Sequence, residues 1–275
     1  MACKGRYTPL WLKIQKEEIQ MRNLKRALSL ALAAIMLVGM MVVSASAASY
    51  NNLTDKDEIV NKDAVSMLVS LGIIEGKPDG SYAPTENVDR AQMAKMLSVI
   101  MNKGVDNSAL YQSVNSGLTD ITSNWAKGHI NYCYTTGIIA GRGNGTFDPS
   151  ATVTALEAAK MLLVAVGYDP KIEGFEGADW AINVSVRADE QGIFEGFTKD
   201  LSAPLNRDDA ALLIYNALDV EMIQSYTTNN YPIAYSDHRT ILADKYGVIK
   251  VQGVVVANEW ASLASDDGDA ALKEG

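Results

Sequence analysis

The stretch GIIEGKPDGSYAPTENVDRAQMAKML, residues 72–97, decides the fold because the chain contains it more than once. Residues 137–162 read GIIAGRGNGTFDPSATVTALEAAKML, and 11 of the 26 positions are identical without a gap. A third, weaker copy, GIFEGFTKDLSAPLNRDDAALLI, occupies residues 192–214. Units that recur at such intervals are typical of repeat proteins, in which each unit needs its neighbours to bury its apolar face. The copies therefore predict a fold made by packing three similar units together.

Each copy has the layout of a helix, a loop and a second helix. Apolar residues recur at helical spacing over Val60–Leu71, and Gly72 follows where a helix C-cap is expected. An Ile-Ile pair, expected to be buried, precedes a turn rich in Gly, Asn and Asp. Asp89 and Thr154 stand at the predicted N-caps of the second helices. The sequence thus predicts a mainly α protein.

The residues upstream of each copy repeat as well. Trp125 and Trp180 each precede the first Gly of their copy by twelve residues, and Val60 takes this position in the first copy. The tripeptide Leu-Thr-Asp occurs at residues 53–55 and again at residues 118–120, at the same distance from that Gly. The repeating unit is therefore longer than the quoted stretch.

These motifs together resemble the S-layer homology domain over residues 53–220. The resemblance rests on the Trp-Ala pair, Gly-Ile-Ile-x-Gly, the Asn-Gly-Thr-Phe-Asp-Pro turn and a helix start similar to Thr-Arg-Ala-Glu. It implies three modules in a pseudo-threefold bundle. It further implies that grooves between the modules bind secondary cell-wall polysaccharide, often pyruvylated, and that the modules anchor surface proteins without catalysing a reaction.

The resemblance also implies a set of ligand contacts centred on the Arg of the Thr-Arg-Ala-Glu motif. Carried over to this chain, the expected glycan-binding residues are Arg90, Arg207, Trp125, Trp180, Gly72 and Gly137. An Arg fork can bind the carboxylate of a pyruvylated sugar through two hydrogen bonds, and a Trp face can cover a sugar ring. Ordinary surface arginines and tryptophans that only pack between helices remain alternatives for these positions.

The second copy departs from the motif at its Arg position, where it has Ala155. The resemblance then implies that the groove of the second copy lacks the strongest contact to an anion.

Composition and the N-terminus indicate an exported protein. The formal net charge is -9, which argues against nucleic-acid binding, since that binding depends on neutralising phosphates. We expect Met21 to be the true start. After it come basic residues, an apolar stretch and Ala45-Ser46-Ala47, in the order of a secretory signal. Cleavage there leaves Cys133, expected to be buried, as a lone cysteine in an extracellular protein with no membrane segment.

The pattern gives the following expected divisions, listed in chain order. They are a leader with signal peptide at 1–47, repeats at 48–104, 105–169 and 170–220 (the last degenerate), a linker at 221–240 and an incomplete β-rich segment at 241–275. The β expectation rests on the β-branched residues of Lys250–Ala257. Residues 241–263 also resemble the start of the region that follows the repeats in large clostridial-type surface proteins.

No catalytic or metal-binding pattern is expected in residues 48–220. His129 and His238 are the only histidines and have no Cys or carboxylate pattern around them, so no metal and no cofactor are predicted. Gly141–Gly145 lacks the Gly-Lys-(Ser/Thr) ending of a phosphate loop.

The sequence therefore predicts a secreted, non-enzymatic protein of the cell wall or cell surface. Its expected partner is secondary cell-wall polysaccharide, with self-association in a surface layer as a further possibility. A surface enzyme, such as a polysaccharide hydrolase with its catalytic domain outside this chain, is the alternative. A third interpretation is that the degenerate repeats only contact other proteins.

Overall fold

A computed structural model describes residues 49–250 of the chain, so the predicted leader and most of the predicted β-rich segment lie outside the described residues. The α-helices are α1 (Lys62–Ser70), α2 (Arg90–Met101), α3 (Lys127–Thr135), α4 (Ala155–Val166), α5 (Trp180–Glu190), α6 (Arg207–Ala217) and α7 (Ile241–Tyr246). Short 3-10 helices cover Tyr50–Asn52, Lys56–Glu58 and Ser108–Tyr111, and β1 (Ile223–Tyr226) pairs antiparallel with β2 (Pro232–Ala234). The described chain is thus mainly helical with one small sheet. None of its helices has both the length and the apolar character needed to cross a membrane.

The second helix of each copy begins at a side-chain cap. The Asp89 carboxylate accepts the backbone N–H of Gln92 at 2.7 Å, and the Gln92 side chain accepts the N–H of Asp89 at 3.0 Å. Thr154 and Glu157 form the same reciprocal pair before α4. Such capping boxes satisfy two backbone donors that the helix itself leaves free. Both predicted N-caps are confirmed.

The first helix of the first copy is shorter than the predicted Val60–Leu71. It begins at Lys62, and Val60 is 82% exposed. The side chain of Asn61, the residue before α1, donates to the Asp208 carboxylate of α6 at 3.1 Å, and its backbone N–H donates to the same carboxylate at 3.2 Å. These contacts hold the entry of α1 against α6 and leave Val60 outside the helix.

The helices pair between copies. Helix α1 packs against α6, α3 against α2, and α5 against α4, while α4 also contacts α6 and α2. One continuous cluster of buried side chains fills the space between them. Its largest fully buried members are Tyr82, Phe147 and Phe175, and the first two are the aromatic residues that follow the turn of each copy.

Three backbone hydrogen bonds close a ring at the centre of this cluster. Val88 donates to the carbonyl of Leu205 at 2.8 Å, Leu205 to that of Val153 at 2.8 Å, and Val153 to that of Val88 at 2.9 Å. The three side chains are buried. Each residue directly precedes the N-cap of α2, α4 or α6, so the ring fixes these three helix starts relative to one another.

The Leu-Thr-Asp tripeptides have a structural role. Asp55 accepts the backbone N–H groups of Tyr82 and Ala83, both at 2.7 Å, and Asp120 accepts those of Phe147 at 2.9 Å and Asp148 at 2.7 Å. Ala83 and Asp148 have φ of 57° and 61°, which is unusual for residues other than glycine. The carboxylates therefore stabilise a strained backbone turn that places the buried aromatic residue.

The tail differs from its predicted form. Residues 221–240 are not an irregular linker, because they contain the β1–β2 hairpin. The segment after them begins as helix α7, capped by the Thr240 hydroxyl, rather than as β structure. Leu242 is buried and donates its N–H to Leu218 at 2.9 Å, and α7 contacts α2. The β-branched residues that follow this short capped helix led to the prediction of β structure for the whole segment.

We predict that Asp120→Ala lowers the free energy of unfolding by about 1–3 kcal/mol, since two backbone donors lose a charged acceptor. Urea unfolding followed by circular dichroism measures this. The control is Glu58→Ala, which removes an exposed acidic side chain with no hydrogen bond or ion pair among residues 49–250. Equal stability of the two variants would contradict the role of Asp120.

Candidate functional site

Arg90, the first residue of α2, is held against the loop of the second copy. Its Nε donates to the carbonyl of Phe147 at 2.8 Å and its Nη2 donates to that of Ala140 at 2.9 Å. The guanidinium lies 4.4 Å from the centre of the Phe147 ring, and the residue is only 4% exposed. Burial, assisted by the charge of Arg142, lowers the pKa of Arg90 to about 10, so the group stays protonated at neutral pH.

Arg207, in the third copy, makes the equivalent contacts with the loop of the first copy. Its Nε donates to the carbonyl of Tyr82 at 2.7 Å, its Nη2 donates to that of Glu75 at 3.1 Å, and its guanidinium lies 4.7 Å from the centre of the Tyr82 ring. The Arg of each of these copies therefore contacts the loop of a different copy. An Arg fork that binds two carbonyls is a strong link between units.

This arrangement corrects the expectation for Ala155. The loop of the second copy does have an arginine, namely Arg90 from the first copy. Ala155 opens α4, whose next residue, Leu156, donates its N–H to the carbonyl of Leu201 at 3.1 Å. Among residues 49–250, the loop without such an arginine is therefore that of the third copy. Residue spacing within one copy does not show that the arginine at a helix start contacts the loop of another copy.

A cleft of about 570 Å³ lies beside the loop of the second copy. We call it the main cleft. The charged and aromatic residues that line it are Arg90, Arg142, Glu157, Lys160, Phe175, Glu176 and Trp180. A neighbouring hollow of about 430 Å³ shares Lys160 with it and is lined by Gly137. Three of the predicted site residues, Arg90, Trp180 and Gly137, thus meet at two adjoining hollows.

Of the cations that line the main cleft, Lys160 makes the fewest hydrogen bonds and ion pairs with residues 49–250. Its Nζ lies 5.7 Å from the centre of the Trp180 ring, and no carboxylate oxygen of residues 49–250 lies within 4.0 Å of it. Partial burial lowers the pKa of Lys160, and this outweighs the opposing effect of Glu176. Arg142, by contrast, is paired with Glu157 at 3.0 Å.

The other three predicted site residues lie outside the main cleft. Trp125 lies two residues before α3, is 57% exposed and packs in a T-shaped arrangement with the His129 ring, 6.3 Å between ring centres. Gly72 has a φ of 70°, and a Cβ there would come within 3.2 Å of the carbonyl of Gly104, so its absence of a side chain has a structural reason. Arg207 is at the loop of the first copy, as described above.

Lys160 and Arg142 also line the main cleft, although the motifs in the sequence did not point to them. A signal for Lys160 was present, because the identical Ala-Lys-Met-Leu in the first two copies contains Lys95 and Lys160 at the same position. Arg142 follows the Gly-Ile-Ile-x-Gly motif directly and corresponds to Lys77. Only the packing of helices between copies shows that these cations reach a cleft.

His129 and Cys133 are buried in α3. The Nδ1 of His129 lies 2.6 Å from the Ser98 hydroxyl, and its Nε2 lies 3.6 Å from Asp106. Burial lowers the pKa of His129, and it raises the pKa of the Cys133 thiol, as expected for a packed cysteine. Within the described range, no three His, Cys, Asp or Glu side chains are grouped so as to hold a metal ion.

Comparison with known proteins identifies two of the copies. The family model of the S-layer homology domain matches residues 52–94 and 117–159. The chain is 27% identical over 257 residues to a cell surface protein of Thermoanaerobacter kivui, covering 93% of this chain and 31% of the relative. It is 33% identical over 113 residues to an S-layer protein of Bacillus licheniformis, covering 41% of this chain and 12% of the relative.

An enzyme is also among the similar proteins. The chain is 30% identical over 173 residues to an amylopullulanase of Thermoanaerobacterium thermosulfurigenes, covering 58% of this chain and 9% of the relative. The chain spans less than a third of the length of each of these three relatives. Two regions of the chain match the S-layer homology domain, and the similarity to cell-surface and S-layer proteins indicates a protein of the cell surface or cell wall.

We predict that Arg90→Met lowers the free energy of unfolding by about 2–4 kcal/mol, because two carbonyls lose a charged donor while the apolar stem is kept. Thermal and urea unfolding measure the change. Arg142→Met is the control, since its ion pairs are partly exposed and should contribute at most about 1 kcal/mol. A larger loss in the control would refute the assignment.

The burial of His129 makes stability depend on pH. Its pKa is lower in the folded state than the unfolded value of about 6.5, so the unfolded chain binds the proton more readily. Stability should therefore fall as the pH drops below about 6.5. Urea unfolding at a pH above and a pH below this value should show a smaller difference for His129→Gln than for the control His238→Gln, whose side chain is exposed. An unchanged difference in His129→Gln would assign the pH dependence to other groups.

Proposed function

We propose that the chain is a non-covalent anchor that binds secondary cell-wall polysaccharide and so holds a surface or S-layer protein on the wall. The observation that carries this proposal is the main cleft, where Arg90, Lys160 and Trp180 approach one another from different copies. The matches to the S-layer homology domain and to surface proteins support the same function.

The anchor is built, in this proposal, from three S-layer homology repeats about a pseudo-threefold axis. The closed hydrogen-bond ring through Val88, Val153 and Leu205 supports this arrangement, because each repeat contributes one residue to it. The helix pairs α1–α6, α3–α2 and α5–α4 support it as well, since each joins the first helix of one repeat to the second helix of another.

The chemistry of the main cleft suits a sugar with an anionic substituent. Arg90 has five N–H donors, of which two are used on carbonyls, so donors remain for a carboxylate at the cleft. Trp180 supplies a flat apolar face beside Lys160. One charged hydrogen bond contributes about 1.5–3 kcal/mol, so a single cleft binds modestly and many copies on one polymer would act together.

The six expected residues take different parts in this proposal. Trp180 covers the sugar ring, Arg90 positions the loop and contacts the anion, and Gly137 leaves room for the polymer beside the cleft. Arg207, Trp125 and Gly72 belong to the corresponding groove at the first repeat. Pyruvylation of the sugar would place a carboxylate on an otherwise neutral ring.

A surface enzyme that uses these repeats as its anchor is the second candidate. The similarity to an amylopullulanase favours it, because that relative is far longer than this chain. In both cases the repeats themselves do the binding, and the attached part of the protein differs.

The proposal predicts that the full chain sediments with purified sacculi and stays in solution once acid has stripped their secondary polymer. Trp180→Leu should weaken binding about tenfold, equivalent to about 1.4 kcal/mol, because it removes the ring face from the cleft. Tyr231→Leu is the matched control, since Tyr231 is an exposed aromatic residue of the hairpin. Circular dichroism verifies that each variant is folded.

Failure of the chain to sediment with native sacculi would refute glycan anchoring. It would then favour repeats that contact only other proteins. Equal binding to stripped and native sacculi would instead assign the contact to peptidoglycan.

A further inference from the structure

Lys95 and Lys160 occupy the same position in the first and second repeats but have different surroundings. The Nζ of Lys95 lies 3.2 Å from a carboxylate oxygen of Glu75. No carboxylate oxygen in residues 49–250 comes as close to Lys160, which faces the Trp180 ring. The third repeat has Leu212 at this position and therefore no cation.

The difference arises at one residue of the preceding loop. Glu75 and Ala140 are the variable residues of the two Gly-Ile-Ile-x-Gly motifs. Their backbones are used alike, because the carbonyl of Glu75 accepts Arg207 at 3.1 Å and that of Ala140 accepts Arg90 at 2.9 Å. Both loops thus bind an arginine through the same backbone carbonyl. Only the side chain at this position, Glu75 or Ala140, determines whether the nearby lysine is paired with a carboxylate.

We infer that Lys160 is the cation that selects an anionic sugar group in the main cleft, and that Glu75 closes the corresponding groove of the first repeat to such ligands by neutralising Lys95. This inference deepens the proposed glycan-binding function and rests on it. The chemical class of ligand is a sugar that carries a carboxylate or a phosphate. Of the two grooves that have a lysine at this position, only the main cleft then binds an anion.

Two further features of the main cleft support this assignment. Partial burial lowers the pKa of Lys160, so a bound anion would offset part of the cost of burying its charge. The carboxylates that line the cleft are Glu157 and Glu176. Glu157 is engaged by Arg142 and by the N–H of Thr154, and neither acid lies within 4.0 Å of the Lys160 Nζ.

Exchanging the two loop residues tests the inference directly. The probes are methyl β-glucuronide, glucose 6-phosphate and, as the uncharged control, methyl β-glucoside. The readout is the indole N–H signal of Trp180 and of Trp125 in the folded full chain, assigned with Trp→Phe variants. In the unaltered chain, we expect the charged sugars to shift the Trp180 signal and to leave Trp125 in place, while the neutral sugar shifts neither.

The variants should move this response from one groove to the other. Ala140→Glu should remove the response of Trp180, and Lys160→Met should remove it as well. Glu75→Ala should create a response at Trp125, a gain that general destabilisation cannot produce. The relative sizes of the responses to the carboxylate and the phosphate show which of the two anions the cleft prefers.

The inference is overturned if Trp125 and Trp180 respond equally in the unaltered chain, if the neutral sugar acts as strongly as the charged ones, or if no probe shifts either signal. The sediment assay with sacculi is independent of these signals. Binding to sacculi without the expected exchange would refute the role of Glu75 and leave glycan anchoring standing. The expected exchange without binding to sacculi would establish the anion site and refute anchoring.

Discussion

The described fold depends on the three backbone hydrogen bonds that join Val88, Val153 and Leu205 in a closed ring. Each residue leads directly into a capped helix, so the ring sets where α2, α4 and α6 start. The remaining helices pack on the outside of these three. Breaking one bond of such a ring would leave buried backbone groups without partners, which costs more than an ordinary surface contact. This geometry also positions the clefts. The start of a second helix lies against another copy, so the first side chain of that helix contacts the loop of the other copy.

Similar loops at each copy do not make the clefts alike. In the first two copies an arginine binds two backbone carbonyls of the loop, and the third copy lacks this contact because the methyl group of Ala155 cannot donate a hydrogen bond. The side chains around the loops vary more freely than the backbone contacts. Glu75 in one loop and Ala140 in the other leave different charges beside lysines at the same position. The framework can therefore stay fixed while individual clefts gain or lose affinity for an anion.

The sequence predicted the parts of the fold that local interactions determine. The N-caps Asp89 and Thr154, the buried isoleucine pairs and the buried Cys133 follow from residue type and spacing within one copy, and the structure confirms them. What depends on contacts between copies could not be obtained in this way. The partners of Arg90 are 50 or more residues away in sequence, and the repeated Ala-Lys-Met-Leu does not show that Lys160 reaches a cleft. The sequence did not predict the hairpin or α7, because elements this short carry little periodicity.

The central claim is that the main cleft, which Lys160 and Trp180 both line, holds the wall polymer. The most direct measurement is a crystal structure of the full chain with an oligosaccharide released from sacculi by acid. The account predicts a sugar ring against Trp180 with its anionic group at Lys160 and Arg90. An oligosaccharide bound beside Ala155 in the third copy, with the main cleft free of sugar, would contradict it.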